Sequence, residues 1–269
     1  MSIFKKRKRK KTASRPDSVA LLHRALSFSA TEAYKLLRAN LMFTLPNEGN
    51  CRVVGVTSSI RGEGKSTTAV NLSYVLAEAG HRVLLIDADL RLPSVGKKLD
   101  IDNTPGLSNV LAGTAEAKSA IRVSKEQEGW HILPSGDIPP NPTEMLGSPQ
   151  MQALVKALSE DYDFLVFDLP PVNIVSDALV ISPLLGGMLV VVRDNYSERR
   201  ELRDCTRQLE LSNVKVLGFV MNVSRGEGGG YGRYKKNHYK YSSKYYKRSG
   251  YYGKRAPYVK DLEDGEEND

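Results

Sequence analysis

Apolar residues in this chain gather into six short runs, at 52–57, 82–87, 130–134, 163–168, 188–193 and 215–221. Runs such as Val83-Leu84-Leu85-Ile86 and Phe164-Leu165-Val166-Phe167 are unbroken in apolar character. Successive side chains of a strand point to opposite faces, so an unbroken run means that both faces are covered. Between most of the runs lie segments with helical periodicity, notably 65–79, 148–160 and 197–211. Ahead of the first run, Ser29-Ala30-Thr31-Glu32 has the spacing of a capping box, with Ser29 expected as the N-cap of a helix that runs through Ala33 to Phe43. Strands and helices alternating in this way predict an α/β fold, a doubly wound and mainly parallel sheet with helices on both faces.

The same pattern divides the chain. Residues 1–28 lack it and carry the run KKRKRKK at 5–11, so a flexible basic N-terminal segment is expected there. Residues 29–223 form the expected folded domain, and 269 residues suffice for one α/β core with appended ends. From about Ser224 the periodicity stops, and Gly, Tyr, Lys, Arg and Ser dominate. Residues 224–269 are therefore expected to be a disordered tyrosine-rich tail closing in an acidic stretch, Asp261 to Asp269.

Composition changes this picture only at the edges. No apolar run approaches the ~20 residues of a membrane helix, and the basic N-terminus lacks the apolar centre of a signal peptide. Cys51 and Cys205 form no disulfide framework or metal spacing, which predicts reduced cytoplasmic thiols. The net charge of +8 sits mainly at the two ends, where it serves an anionic membrane surface, nucleic acid or plain solubility. Nucleic acid is not the expected partner.

Candidate chemistry lies at the strand ends. Ser59-Ile60-Arg61-Gly62-Glu63-Gly64-Lys65-Ser66-Thr67 joins the first apolar run to the first helical segment. It matches the phosphate-binding pattern G-x-x-x-x-G-K-[ST], with Ser59 in place of the first Gly. Gly62, Glu63, Gly64, Lys65, Ser66 and Thr67 are thus expected to hold ATP. Backbone N–H groups and the helix N-terminus would face the phosphates, Lys65 would reach the β- and γ-phosphates, and the Ser66 hydroxyl would ligate Mg²⁺. Two further runs end in acids, Asp87-Ala88-Asp89-Leu90-Arg91 and Asp168-Leu169-Pro170-Pro171. Ligands of open parallel sheets sit beyond the carboxyl ends of the strands, so Asp87, Asp89 and Asp168 are expected to converge on the loop, with Asp168 holding Mg²⁺.

On these residues the sequence resembles the bacterial tyrosine kinases of capsule and exopolysaccharide synthesis. That family has a Walker A loop (here GEGKST, 62–67), a second motif hhhDxDxR (LLIDADLR, 84–91) and a Walker B strand hhhDxxP (LVFDLPP, 165–171). The stretches at 133–136 and 139–146 also look like a family loop. The resemblance implies ATP and Mg²⁺ as cofactors and catalytic roles for Lys65, Asp87 and Asp89. It further implies that Asp87 assists metal binding and that Arg91 supports the nucleotide site. Asn222 resembles the adenine-contacting Asn of the wider superfamily, and a strand-end turn is its other reading.

Nine of the 13 tyrosines lie in the tail: Tyr231, Tyr234, Tyr239, Tyr241, Tyr245, Tyr246, Tyr251, Tyr252 and Tyr258. By the resemblance they are the phosphoacceptors of an autokinase. A family oligomerisation motif, E-x-x-R-x-x-R, is matched by Glu32, Lys35 and Arg38, with Lys where the family has Arg; a solvated charged face is the other reading. The resemblance also implies a homo-oligomeric ring when unphosphorylated, a tyrosine phosphatase, and a separate transmembrane polysaccharide co-polymerase-type adaptor. That adaptor would hold the cytoplasmic chain at the inner face of the plasma membrane. The competing class is a non-kinase ATPase switch of the partition or septum-site type, whose signature lysine is replaced here by Ile60.

Overall fold

The computed structural model describes residues 26–45 and 51–222. The basic run at 5–11, the nine tail tyrosines and the acidic end lie outside the described residues. The chain enters through α1 (Phe28–Thr44) and continues into β1 (Arg52–Ser58), α2 (Lys65–Glu78) and β2 (Val83–Asp87). Three short helices follow, α3 (Val95–Leu99), α4 (Leu107–Leu111) and α5 (Ala117–Ala120), then β3 (Arg122–Val123) and β4 (Trp130–Leu133). The remainder is α6 (Pro142–Leu146), α7 (Pro149–Asp161), β5 (Phe164–Asp168), α8 (Asp177–Ile181), β6 (Gly187–Arg193), α9 (Arg199–Leu211) and β7 (Val216–Asn222).

The seven strands form one sheet in the order β3-β4-β2-β5-β1-β6-β7. All neighbours pair in parallel except β3, which runs antiparallel to β4 at the edge. The apolar runs are buried on both faces, as their unbroken character predicts. Val83, Leu85, Phe164 and Val166 point into a core completed by Val70, Leu72, Val75 and Leu76 of α2. Leu84, Ile86, Leu165 and Phe167 point the other way, against Met151, Leu154 and Leu158 of α7 and Cys205 and Leu209 of α9. Each such Val, Leu or Phe removed from water contributes about 1.5–3 kcal/mol, so the layers are held chiefly by these two apolar faces. One polar tie crosses the first face: buried Trp130 donates its Nε1–H to Ser73 Oγ at 2.9 Å.

Register places the chemistry. β2 pairs with β5 so that Asp87 lies opposite Asp168, and β1 pairs with β5 so that Val56 does too. The carboxyl ends of the three central strands therefore finish together, with the phosphate loop leaving β1 beside both acids.

One expectation needs correction. Helix α1 is capped by Ser27, not Ser29: Ser27 is extended (φ −63°, ψ 152°) and its Oγ accepts from Ala30 N at 3.4 Å. Ser29 already lies inside the first turn, so the capping-box pattern at 29–32 is not used as one. The charged residues along α1 have different partners within the chain. Lys35 pairs with Glu32 at 3.1 Å, whereas Arg38 Nη1 donates to the Val75 carbonyl of α2 at 2.6 Å and so helps dock α1. Both cysteines are free thiols, Cys205 buried and Cys51 half-buried. Among the described residues no helix is long and apolar enough to cross a membrane.

Candidate active site

The loop from β1 to α2 is built on two left-handed glycines, Gly62 at φ +83° and Gly64 at φ +98°. A Cβ on Gly64 would also meet Asn222 Nδ2 at 2.0 Å, so the position excludes a side chain twice over. Donors from the opposite edge hold the loop's carbonyls. Tyr196 donates its hydroxyl to Arg61 O at 3.1 Å, Arg193 Nη1 donates to Gly62 O at 3.0 Å, and Asn222 Nδ2 donates to Glu63 O at 3.0 Å. The Glu63 side chain turns beneath the loop and is fully buried. Its carboxylate accepts from Ser59 Oγ at 2.9 and 3.0 Å, from Ile60 N at 2.9 Å, and from Ser197 Oγ.

Lys65 opens α2 and projects among the strand-end acids. Its ammonium is 2.8 Å from Asp89 Oδ2, 3.3 Å from Asp168 Oδ1 and 3.3 Å from Ser66 Oγ. Burial works against the Lys65 charge, but Asp168, Asp89 and Asp87 outweigh it and hold the pKa above the usual lysine value. Asp87 is fully buried; its Oδ1 accepts from Asp89 N at 3.2 Å and its Oδ2 from Ser94 N at 3.1 Å and Val95 N at 3.0 Å. Burial, reinforced by the neighbouring Asp168, pushes its pKa up to about 8. Burial likewise raises Asp168, against the pull of Lys65.

Arg91, at the end of the same motif, forks onto buried Asp177, with Nε–Oδ2 at 2.8 Å and Nη2–Oδ1 at 3.1 Å, and reaches Thr143 Oγ1 at 2.9 Å. It faces the cavity while a structural ion pair fixes its direction. Lys98 donates to Thr67 Oγ1 at 3.2 Å, and burial lowers the pKa of its ammonium.

These groups surround one cavity of about 490 Å³. Gly62, Gly64, Lys65, Ser66, Thr67, Asp89, Arg91 and Asn222 all line it, so the structure brings these sequence-predicted residues together. Asp87, Asp168 and Glu63 do not line it; all three are fully buried, and Asp168 is reached by Lys65 at 3.3 Å. Lys98 and Arg193 also line the cavity, and neither was foreseen from sequence. Arg193 ends strand β6 and was findable by the strand-end rule; Lys98 sits on a five-residue helix with no periodic signal.

The donor set fits a hard divalent cation. Asp168 Oδ2 is buried without a hydrogen-bond partner, beside the Ser66 hydroxyl. Among the described residues no cluster of three or more His, Cys, Asp or Glu forms a cage by itself. That composition suits Mg²⁺, which commonly binds one or two carboxylates and completes its shell with phosphate oxygens and water.

A phosphate loop running into a helix, with acids at the ends of two adjacent parallel strands, defines a P-loop nucleotide-binding domain. A family described as AAA domain matches residues 51–196. The tyrosine-protein kinase YwqD of Bacillus subtilis is 38% identical over 192 residues, 71% of this chain and 80% of that protein. The tyrosine-protein kinase CpsD of Streptococcus agalactiae is 32% identical over 78% of this chain and 91% of its own length. Among solved structures, the kinase domain of Escherichia coli tyrosine kinase ETK superposes with a TM-score of 0.70 at 31% identity, covering 75% of this chain and 79% of that one. The chimerical protein CapA2B2 gives 0.67 at 35% identity, covering 71% and 83%. The septum site-determining protein MinD of Pyrococcus horikoshii, complexed with Mg-ADP, gives 0.54 at 27% identity over 64% and 70%. The chain belongs to the bacterial tyrosine kinase family.

Proposed function

We propose that this chain is an ATP-dependent protein-tyrosine autokinase that modifies the tyrosine cluster at its own C-terminus and regulates capsular or exopolysaccharide synthesis or export. The observation that carries the reading is that Lys65, Ser66 and Asp89 line one cavity beside the phosphate loop, with the Lys65 ammonium bonded to Asp89 and to buried Asp168. Phosphoryl transfer needs little covalent help from a protein; positioning and charge stabilisation supply most of the rate. The amides of the loop and of the first turn of α2 would bind the phosphate chain, and Asn222, which lines the cavity, would contact the base. Lys65 bonds to Asp89 and Asp168, and its ammonium would stabilise the charge that develops on the transferring phosphoryl group. Asp168 and the Ser66 hydroxyl would hold Mg²⁺, with Asp87 in support. The ion would screen the phosphate charge and align the γ-phosphoryl. The proton on the incoming tyrosine needs an acceptor, and Asp89 and Asp87 are the carboxylates at hand. Asp89 faces the cavity, while Asp87 is buried and committed to three backbone N–H groups. Asp89 is thus the better placed base.

In this reading residues 29–223 are the kinase domain, and 1–28 and 224–269 are appended segments. The tail carries ten Lys or Arg and no acid between Tyr231 and Lys260, and each phosphate adds about −1.5 to −2 charges. Several phosphates would reverse its sign. Unmodified tails would therefore favour assembly with the acidic sites of neighbours, with Glu32, Lys35 and Arg38 on α1 contributing to subunit contacts. A tyrosine phosphatase would restore that state, and a separate membrane-spanning adaptor would recruit and activate the kinase at the inner membrane face. Mixing tests transfer between subunits: a full-length Lys65→Met chain is incubated with an active chain lacking residues 231–269. Phosphotyrosine on the Lys65→Met chain supports the reading; its absence refutes intermolecular transfer.

A further inference from the structure

Four of the 13 tyrosines lie within the described residues, and their settings differ sharply. Tyr74 and Tyr162 are buried and Tyr34 is half-buried, whereas Tyr196 is 47% exposed. Tyr196 is also the one whose hydroxyl touches the nucleotide loop, donating to Arg61 O at 3.1 Å. Its ring carries the Arg193 guanidinium, 4.9 Å from the centroid, and Arg193 in turn donates to Gly62 O. With Asn222 on Glu63 O, three successive loop carbonyls are taken by side-chain donors. The C=O and following N–H of a trans peptide point in opposite directions. Holding the carbonyls of residues 61–63 to one side therefore turns the amides of Gly62, Glu63 and Gly64 to the other, as an anion-binding loop requires.

We propose that Tyr196 is a phosphoacceptor outside the tail, and that its modification loosens the phosphate loop and lowers nucleotide affinity. The inference rests on the reading of the chain as a tyrosine kinase. The ATP is bound by a second copy, because Tyr196 braces the loop of its own site. In the step, the bond between the γ-phosphorus and the β,γ-bridging oxygen breaks and ADP leaves. A new bond forms from the phosphorus to Tyr196 Oη, and the phenolic proton passes to a carboxylate of the donor site or to water.

The consequences follow from the contacts. The esterified oxygen has no proton to donate to Arg61 O. A Cβ on Gly62 would lie only 3.0 Å from the Tyr196 hydroxyl, so hydroxyl and loop are in contact and a phosphoryl group has no room between them. The added dianion faces a carbonyl oxygen, which it repels, and the Arg193 guanidinium already stands over the ring, 4.9 Å from its centroid. Arg–phosphate pairing is stronger than an Arg–carbonyl hydrogen bond, so Arg193 leaves Gly62 O. Two of the three braces are lost in one event, and the kinase that has modified its neighbour has weakened the neighbour's hold on ATP.

The test uses full-length protein. An affinity-tagged Lys65→Met chain is incubated with wild-type chain, ATP and Mg²⁺, recovered, and its phosphorylated peptides are mapped by mass spectrometry. A modified Tyr196 peptide alongside modified tail peptides is the expected result. Tail modification with Tyr196 untouched, or phosphotyrosine on the wild-type chain alone, overturns the inference and leaves the kinase reading standing; no phosphotyrosine on either chain overturns both. The brace itself is read from Tyr196→Phe, which keeps the ring under Arg193 and removes only the hydroxyl. Affinity for a fluorescent ADP should fall about 5-fold, the equivalent of one modest hydrogen bond, with the melting temperature of the nucleotide-free protein unchanged. Unchanged affinity, or a lowered melting temperature with unchanged affinity, overturns the positioning role.

Discussion

Lys65→Met removes the ammonium that touches both Asp89 and Asp168 while keeping the length of the side chain. At an effective dielectric constant of 20, separations of 2.8 and 3.3 Å correspond to gross attractions of about 6 and 5 kcal/mol. Desolvation offsets much of this. Breaking a buried pair from one side, which strands the partner charge, costs about 3–5 kcal/mol. Protonation provides relief, and it gives the variant a pH signature. Asp168 is already raised by burial and lowered by Lys65, so without the lysine its pKa climbs further. A carboxyl whose folded pKa exceeds its unfolded value keeps a proton that the unfolded chain has released. Its stabilising contribution is full below the unfolded value near 4 and is lost as pH rises through the folded pKa. The deficit of Lys65→Met relative to wild type should therefore be larger at pH 8 than at pH 5.5, measured by urea unfolding of the nucleotide-free proteins. Transfer to tyrosine, measured at saturating ATP and Mg²⁺, should fall at least 10²–10³-fold, the loss typical of one preorganised donor to a developing charge. A rate within tenfold of wild type, or an equal stability deficit at both pH values, would refute the role assigned to Lys65.

Gly64→Ala puts a Cβ in a left-handed residue and 2.0 Å from Asn222 Nδ2, so ADP affinity measured by calorimetry should drop by at least about 10-fold, the equivalent of 1–2 kcal/mol of backbone strain. Asp177→Asn discharges the partner of Arg91 and weakens two charge-assisted hydrogen bonds; urea unfolding should show a loss of about 1–3 kcal/mol, and transfer should slow as Arg91 loses its fixed direction. Trp130→Phe leaves the buried Ser73 hydroxyl without its 2.9 Å donor, and a stability loss of about 1–3 kcal/mol with nucleotide affinity unchanged should follow.

Much of this protein was legible before its fold was seen, for identifiable reasons. Val83–Asp87 and Phe164–Asp168 read as central strands because helices cover both of their faces, which forbids alternation. The strand-end rule then gathered Asp87, Asp89 and Asp168 at the phosphate loop; Asp89 lines the cavity and Asp168 lies 3.3 Å from Lys65. Strand β3 could not be read, since two residues carry no period, and the five-residue helices α3, α4, α6 and α8 fail for the same reason. The N-cap of α1 was misplaced by two residues because Ser27, Ser29 and Thr31 offer the same hydroxyl at successive positions; only backbone direction separates them. The ties that hold the loop were invisible for a deeper reason. Glu63 meets Ser197, and Gly62 meets Arg193, across more than 130 residues of chain, and no local pattern encodes such pairs.

The central claim is that the γ-phosphoryl of ATP moves to tyrosines of this chain. The most direct measurement incubates the purified full-length protein with γ-labelled ATP and Mg²⁺ and locates the label, with Lys65→Met alongside. The account predicts phosphotyrosine in the segment Tyr231 to Tyr258 of the wild-type chain and none in the Lys65→Met chain incubated alone. Release of labelled inorganic phosphate with no phosphotyrosine on the protein would contradict it and assign the site to an ATPase switch instead.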